Sequence, residues 1–206
     1  MHGRFTLALI VCGAGFLVGA CASQRATSTA TTSEAAVGTT AASGEGRCIP
    51  PVEALPAMTE GPYFKAGSPE RTSLIEPGVP GEPLSLSGFV YDTQCNPQAG
   101  AQLDFWQADG NGVYDNAGYR LRGHQFTDAA GAYTLKTVVP GLYPGRTEHI
   151  HVKVAPQDRS VLTTQLFFPN VAGNQTDLFF DPRLVIRVQR GTDGWLGFFD
   201  FVVPAP

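Results

Sequence analysis

The chain of 206 residues is long enough for one globular domain with additional segments. It has 14 Lys and Arg against 18 Asp and Glu, which gives a formal net charge of −4 at pH 7. This mild acidity excludes a strongly basic face, so we expect binding neither to nucleic acid nor, through charge, to an anionic membrane surface.

Residues 1–20 have the features of a secretion signal. Arg4 supplies positive charge, and Leu7–Val18 is a largely apolar run that is too short to span a membrane comfortably. Small residues precede Cys21, as in a bacterial lipoprotein signal in which Cys21 would be lipidated; an ordinary signal peptide cut near Ala22 is the alternative. Both interpretations predict an exported protein, either membrane-anchored or secreted to the periplasm or beyond, with membrane contact only through lipid on Cys21.

Residues 21–47 are mostly Ala, Ser, Thr and Gly, which cannot bury a core, so this stretch is predicted to be a disordered tether. The folded domain is then expected over residues 48–206. It contains two cysteines, Cys48 and Cys95, and an exported protein with two cysteines favours one disulfide over two buried free thiols. The loop-closure model gives such a bridge a stabilisation on the order of 4 kcal/mol.

From residue 84 onward, short alternating runs are separated by Gly, Pro, Asn and Asp. This spacing predicts an all-β fold, an antiparallel β-sandwich with long loops and little helix. A loop is expected over Asp109–Gly123, a turn over Phe126–Gly131 and a helical turn within Asn174–Pro182. The expected strands are Leu84–Tyr91, Ala101–Gln107, Ala132–Val138, Glu148–Ala155, Leu162–Phe168, Leu184–Val188 and Phe198–Val203.

A His-Ile-His sequence lies at the start of one predicted strand. Residues i and i+2 of a strand point to the same face, so His149 and His151 leave one side together. Ile150, Val152 and Val154 leave the other side, which we interpret as the face turned to the core.

Outside the leader the chain has only three histidines, His124, His149 and His151. A three-histidine zinc site, and with it a zinc hydrolase, is arithmetically possible. It would leave the nearby tyrosines without a role. Two His with two Tyr instead suit Fe(III), a highly charged ion that can hold a phenol in its ionised form.

Several motifs follow one another over Thr59 to Phe168, most of the folded domain. They resemble those of the intradiol ring-cleavage dioxygenases, the protocatechuate/catechol dioxygenase superfamily, and especially its exported single-domain members. The motifs are Gly88–Asp92, Ala101–Tyr114, Arg122–Gly123, Thr127–Tyr133, Pro140–Pro144 and Arg146–His151.

This resemblance implies a non-haem Fe(III) centre held by Tyr114, Tyr143, His149 and His151. It also implies that Tyr143 leaves the metal and accepts a substrate proton. Each residue has an alternative. Tyr114 could be a solvated loop residue, with Tyr119 as the ligand; Tyr143 could cap its turn, and the two His could be an exposed strand pair.

The resemblance further implies a catalytic role for Arg146, which would steady a bound catecholate. A surface ion pair of Arg146 with Glu148 is the alternative. Gln165 and Tyr63 are implied to line the substrate pocket, although Gln165 could also be a plain strand polar group. We interpret Trp106 as a core residue, and His124, Tyr91 and Tyr133 as structural or surface residues.

The activity implied by the resemblance is cleavage of catechol-type rings by O2, between the two hydroxylated carbons, to cis,cis-muconate-type products. Only Pro144 and Gly145 separate Tyr143 from Arg146, a shorter spacing than in enzymes of the protocatechuate type, which suggests a more open pocket. Glu148 could disfavour carboxylated catechols. The alternative function is a non-catalytic, transthyretin-like binding module on a lipid anchor. The sequence does not fix the oligomeric state.

Overall fold

The computed structural model describes residues 48–49, 52–157 and 160–206. The predicted leader, Cys21 and the predicted tether lie outside the described residues, so these interpretations stay predictions. Within the described ranges, no helix is both long and apolar enough to span a bilayer.

Over the described residues, nine β-strands form most of the regular structure, and the all-β class predicted from the sequence is confirmed. Two short 3-10 helices, Ala172–Gln175 and Pro182–Leu184, lie between the sixth and seventh strands. The strands are β1 (Pro83–Asp92), β2 (Gln102–Gln107), β3 (Arg122–Phe126), β4 (Ala132–Val138), β5 (His149–Ala155), β6 (Leu162–Phe167), β7 (Arg187–Arg190), β8 (Trp195–Phe198) and β9 (Phe201–Val203).

The strands form two sheets. One has the order β3-β2-β5-β6 and is antiparallel throughout. The other has the order β4-β1-β8-β7, with β9 also paired to β1, and here β1 runs parallel to β8 and β9. The predicted antiparallel arrangement therefore describes the first sheet, whereas the second is mixed. Strand direction between segments a hundred residues apart is set by tertiary packing, which local periodicity does not encode.

The hydrophobic core lies between the sheets and is built from alternate residues of the strands. In β5, Ile150, Val152 and Val154 are completely buried, as the alternation predicted. They join Leu84 and Leu86 of β1 in one cluster. A fully buried side chain of this size contributes about 1.5–3 kcal/mol, so the register of β5 is strongly fixed.

The sequence did not predict strand β3. This strand begins inside the stretch predicted as a loop and ends at the first residue of the predicted turn. Its core-facing positions are Gly123 and Gln125, paired with Phe105 and Leu103 of β2, so β3 presents no apolar alternation of its own. Leu74 supplies the missing bulk: a Cβ at Gly123 would lie 2.8 Å from its Cδ2. Burial of β3 is thus provided by another segment of the chain.

The last strands are displaced from their predicted positions. The buried residues Leu184 and Ile186 precede β7 instead of lying in it, and the Ile186 amide bonds to Phe167 O of β6. The predicted final strand is two strands, because Asp200 interrupts it and accepts the Phe89 amide through Oδ1 at 2.9 Å.

The helical turn predicted within Asn174–Pro182 is also displaced. The two 3-10 helices overlap only the ends of that range, at Ala172–Gln175 and Pro182–Leu184. Half of the six residues between them form turns, and the segment is held by backbone bonds such as Phe180 N to Asp177 O at 3.1 Å.

The predicted disulfide is present. Cys48 and Cys95 are joined, with their Cα atoms 5.6 Å apart. The bridge ties the start of the described chain to the turn that follows β1.

Candidate active site

Four polar or aromatic side chains form a row across the outer face of the antiparallel sheet. The strand register places Arg122 of β3, Trp106 of β2, His151 of β5 and Gln165 of β6 side by side. Their neighbours in sequence face the core, so these four face away from it. All four are nevertheless almost completely buried. The loops that cover this face of the sheet therefore enclose a polar site.

The two imidazoles of β5 are held in fixed orientations. Trp106 stacks on His151 with ring centroids 4.8 Å apart and an interplanar angle of 8°. The backbone at Gly61 closes over the same ring: a Cβ there would lie 3.3 Å from His151 Cε1. His149 Nδ1 lies 2.6 Å from Thr147 O. Because only an N–H can donate to a carbonyl, this bond leaves the Nε2 lone pair of His149 free to bind a cation.

His149 Nε2 lies in contact with two other predicted ligand atoms. His149 Nε2 is 3.1 Å from His151 Nε2 and 3.4 Å from Tyr114 Oη. Ligands about 2.1 Å from one ion and separated by angles of roughly 90–110° lie about 3.0–3.4 Å apart. These spacings therefore suit three ligands of a single ion. The two His are buried and are not an exposed strand pair.

Tyr143, the fourth predicted ligand, packs beside these three. Its ring meets the ring of Tyr114 edge-on, with centroids 5.9 Å apart. Its hydroxyl lies 2.8 Å from the hydroxyl of Tyr63. The ring of Tyr63 in turn stacks on Tyr114 at 4.4 Å. The structure thus brings the predicted pocket residue Tyr63 into contact with both predicted tyrosine ligands.

Tyr114, and not Tyr119, lies at the imidazoles. Tyr114 is only 7% exposed, so it is not a solvated loop residue. Tyr119 donates its hydroxyl to Ala66 O at 2.9 Å, and Lys65 Nζ lies 4.4 Å from the centre of its ring. Tyr119 fastens the loop that carries Tyr63 and has no contact with the imidazoles.

Burial sets the protonation of these groups. It lowers the pKa of His149 to about 4 and lowers the pKa of His151 well below its usual value. Burial also raises the pKa of Tyr114. Both imidazoles are therefore neutral near pH 7 and able to bind a cation. The phenol of Tyr114 is neutral too, until a highly charged cation favours its ionised form. Two imidazole nitrogens with two phenol oxygens are a donor set that fits Fe(III).

Arg146 and Gln165 also meet at this site. Arg146 Nη2 donates to Gln165 Oε1 at 2.5 Å, and Gln165 Nε2 donates to Thr59 O at 3.1 Å. The ion-pair partner of Arg146 is Asp177, with Nε to Oδ2 at 2.8 Å, rather than Glu148. Gln165 is therefore not an unattached strand polar group.

Two residues of this site were not identified as functional from the sequence. Asp177 lies in a turn, 31 positions from its partner Arg146, and no local pattern marks it. Trp106 was interpreted as core, and it is buried, but it belongs to a separate cluster with Tyr114 on the outer face of the sheet. The alternation along β2 could have placed it there, since Leu103 and Phe105 face inward.

Tyr143 lines two clefts. The larger, of about 520 Å³, contains Arg146 and Asp177, and the smaller, of about 450 Å³, contains Tyr63 and Tyr114. Either volume lies in the range of small-molecule sites. Both clefts share Leu142, Tyr143 and Pro144.

His124 takes no part in this site. His124 lies opposite Asp104 in the sheet, two residues along β2 from Trp106, which lies opposite His151. The Nδ1 of His124 donates to Ser68 O at 2.8 Å. In the described ranges, no group of three or more His, Cys, Asp or Glu side chains could hold a metal ion. The three-histidine zinc site therefore has no geometric support among these residues.

Residues 59–181, which include every residue of the site described above, match a family model described as a dioxygenase. The chain is 30% identical over 139 residues to a hydroxyquinol 1,2-dioxygenase of Nocardioides simplex, covering 56% of this chain and 47% of that protein. It is 33% identical over 150 residues to the protocatechuate 3,4-dioxygenase alpha chain of Pseudomonas putida, covering 59% and 74%. The chain belongs to the intradiol ring-cleavage dioxygenase superfamily.

A solved structure of a dioxygenase domain shares the fold. The dioxygenase domain of a dioxygenase–carbohydrate-binding protein fusion from Streptomyces sp. SirexAA-E is 53% identical, with a TM-score of 0.73, over 75% of this chain and 100% of that domain. The chain spans about half the length of the hydroxyquinol dioxygenase that it matches. The assignment to the superfamily therefore covers the β-sandwich and its site, and it does not extend to the rest of that longer protein.

Proposed function

We propose that this protein is a non-haem Fe(III) dioxygenase that cleaves catechol-type rings between the two hydroxylated carbons. The observation that carries the proposal is the buried contact among Tyr114, His149 and His151, with Tyr143 and Arg146 beside it. A binding module would have no need for two buried, neutral imidazoles whose Nε2 atoms lie 3.1 Å apart.

Tyr114, Tyr143, His149 and His151 would hold the iron. When bound, Fe(III) would supply Lewis-acid activation of a catecholate toward O2. The bond from His149 Nδ1 to Thr147 O and the Trp106 stack on His151 keep both imidazoles oriented without rearrangement.

In this proposal, Tyr143 accepts a substrate proton and Tyr63 forms a hydrogen bond with the hydroxyl of Tyr143. A catechol that binds as its dianion must release two protons; the Tyr143 phenolate oxygen accepts one of them, and the other passes to water in the cleft. Tyr63 lies within hydrogen-bond distance, at 2.8 Å, and holds the resulting phenol in the cleft. The hydrogen bond to Tyr143 raises the pKa of Tyr63, which keeps Tyr63 protonated and able to donate.

Arg146 stabilises negative charge on the substrate oxygens. It lines the larger cleft, and its side chain is 15% exposed, so the guanidinium can meet a ligand there. A fixed cation aimed at developing charge in a site of low dielectric constant lowers the barrier more than it would in water.

The net reaction adds both atoms of O2 to the substrate. The carbon–carbon bond between the two hydroxylated carbons breaks, and each of these carbons becomes a carboxyl carbon of a cis,cis-muconate-type diacid. Four electrons pass from substrate to O2, so no organic cofactor or external reductant is consumed.

The charges in the clefts favour uncharged catechols. Among the described residues that line the two clefts, Arg146 is the one cation, and Asp177 already pairs with it. A carboxylate on the substrate ring would therefore compete with the catecholate oxygens for Arg146, and partly exposed Glu148 lies next to His149 in the chain.

Oxygen consumption against a panel of catechols tests the proposal. We expect the iron-loaded protein to consume O2 with catechol, 4-methylcatechol and hydroxyquinol, and to act on protocatechuate at least tenfold more slowly because of the charge arrangement. When the reaction is run under ¹⁸O2, mass spectrometry of the product should show two ¹⁸O atoms. Tight binding of catechols without O2 uptake would instead support a binding module.

A further inference from the structure

Asp177 is a buried charged group to which the proposed reaction assigns no role. Its side chain is 1% exposed. Its Oδ2 accepts bonds from Arg146 Nε and from the Thr147 amide, each at 2.8 Å. Its Oδ1 accepts the Phe179 amide at 2.8 Å. A buried carboxylate saturated in this way has a fixed position.

Asp177 determines how the guanidinium of Arg146 is presented. Nε is bonded to Asp177 and Nη2 to Gln165 Oε1, while the ring of Phe179 lies 4.7 Å from the guanidinium carbon. Among the described residues, no acceptor bonds to Nη1, and Arg146 lines the larger cleft. The two bonds and the ring contact thus leave one guanidinium nitrogen for a ligand.

The same carboxylate also reaches the candidate iron site through the backbone. It holds the amide of Thr147, and the carbonyl of Thr147 accepts the Nδ1–H of His149 at 2.6 Å. One side chain therefore holds both the cation at the cleft and the backbone amide of Thr147, the residue whose carbonyl orients a metal-binding imidazole.

We propose that Asp177 is a positioning residue that acts through Arg146, holding its guanidinium with Nη1 directed to the catecholate. This inference rests on the proposed function. A charged group that must act within a few tenths of an ångström loses most of its effect when it is free to move, and displacements near 1 Å cost about 100-fold in rate.

Asp177→Asn tests the inference, with Asp181→Asn as the matched control. Asp181 also caps a turn and pairs with an arginine, but that arginine is the exposed Arg183. We expect Asp177→Asn to lower kcat with catechol by about 10- to 100-fold, and Asp181→Asn to leave kcat within about twofold.

A double-mutant cycle separates positioning from a general structural effect. If Asp177 acts mainly through Arg146, Asp177→Asn should lower kcat much less in the Arg146→Ala background than in the wild type, and any remaining loss comes through Thr147 and His149. Effects that multiply in the double variant would overturn the inference.

Nitrogen NMR of the metal-free protein gives a readout independent of catalysis. The Arg146 Nε–H signal, assigned by its loss in Arg146→Lys, should be protected from solvent exchange in the wild type and in Asp181→Asn, and unprotected in Asp177→Asn. Rapid exchange in the wild type would overturn the inference even if Asp177→Asn failed to fold. A wild type with protected Arg146 that neither binds nor cleaves catechols would overturn the proposed function, and with it the role of Asp177 in catalysis.

Discussion

At the residue scale, burial changes what the side chains of the site can do. His149 and His151 are each more than 95% buried, and this burial keeps them neutral. The same burial disfavours the ionised phenol of Tyr114. The metal-free site is therefore an uncharged set of donors, and the cost of burying it is recovered when a cation binds.

The low pKa of His149 predicts how the stability of the metal-free protein depends on pH. The folded-state pKa is about 4, whereas an unfolded His has a pKa near 6.5. Between these values the unfolded chain binds a proton that the folded chain does not. Stability should fall as the pH drops from about 6.5 to 4, by about 3 kcal/mol from His149 alone.

Urea unfolding of the metal-free protein at pH 7 and pH 5 measures this effect. His149→Gln removes the titrating group, so its unfolding free energy should change less between the two pH values than that of the wild type. An equal change in both proteins would contradict the assignment of the effect to His149.

Tyr63→Phe tests the hydroxyl pair of Tyr63 and Tyr143. The substitution keeps the ring that stacks on Tyr114 and removes only the 2.8 Å bond. A hydrogen bond of this kind contributes about 1 kcal/mol, so kcat should fall by about fivefold to tenfold at unchanged iron content. Tyr119→Phe, which removes a hydroxyl bonded to Ala66 O, is the control and should keep its kcat.

At the element scale, β5 links the core to the site. Ile150 lies between the two histidines and is fully buried on the core side. Its burial fixes the register, and the register aims both imidazoles at the opposite face. The strand that binds the metal in our proposal is thus held by the side chains that do not touch it.

Ile150→Ala should therefore destabilise the protein by about 2–5 kcal/mol, since it opens a cavity in the core. Ile75→Ala changes the same side chain at a position that is 43% exposed, and it should stay within roughly 1 kcal/mol of the wild type. Denaturant unfolding of both variants gives the comparison. Similar losses in the two would show that β5 is not held by the core as described.

The elements that could be predicted are those whose pattern is local. The strand of His149 and His151, its two faces and the tyrosine turn before it follow from residues within about ten positions. Strand β3 could not be predicted, because Gly123 and Gln125 occupy its core face and the bulk beside Gly123 comes from Leu74 of another segment. The role of Asp177 could not be predicted either, because it depends on Arg146, which a separate turn carries.

At the scale of the whole molecule, the disulfide holds the start of the domain against the turn after β1. The bridge closes a loop with a sequence separation of 47. Replacing both cysteines by serine should lower the unfolding free energy by about 4 kcal/mol, measured by urea titration. Activity under stabilising conditions should persist, because neither cysteine contacts the tyrosines or histidines of the site. Unchanged stability would contradict a structural role for the bridge.

We further propose that the domain works outside the cytoplasm, held by lipid on Cys21. In a bacterial host, the wild type should sediment with membranes and incorporate labelled palmitate, and Cys21→Ser should do neither. Release of the wild type into the periplasm with Cys21 removed would instead indicate an ordinary signal peptide. A full-length, unprocessed cytoplasmic chain would contradict export.

The central claim is that Tyr114, Tyr143, His149 and His151 bind one Fe(III) ion, and the visible spectrum of the purified protein, together with its metal content, tests it most directly. We predict one iron per chain and a tyrosinate-to-iron charge-transfer band that changes in Tyr114→Phe and in Tyr143→Phe. A colourless protein that carries one zinc per chain, in the wild type and in both variants, would contradict the claim.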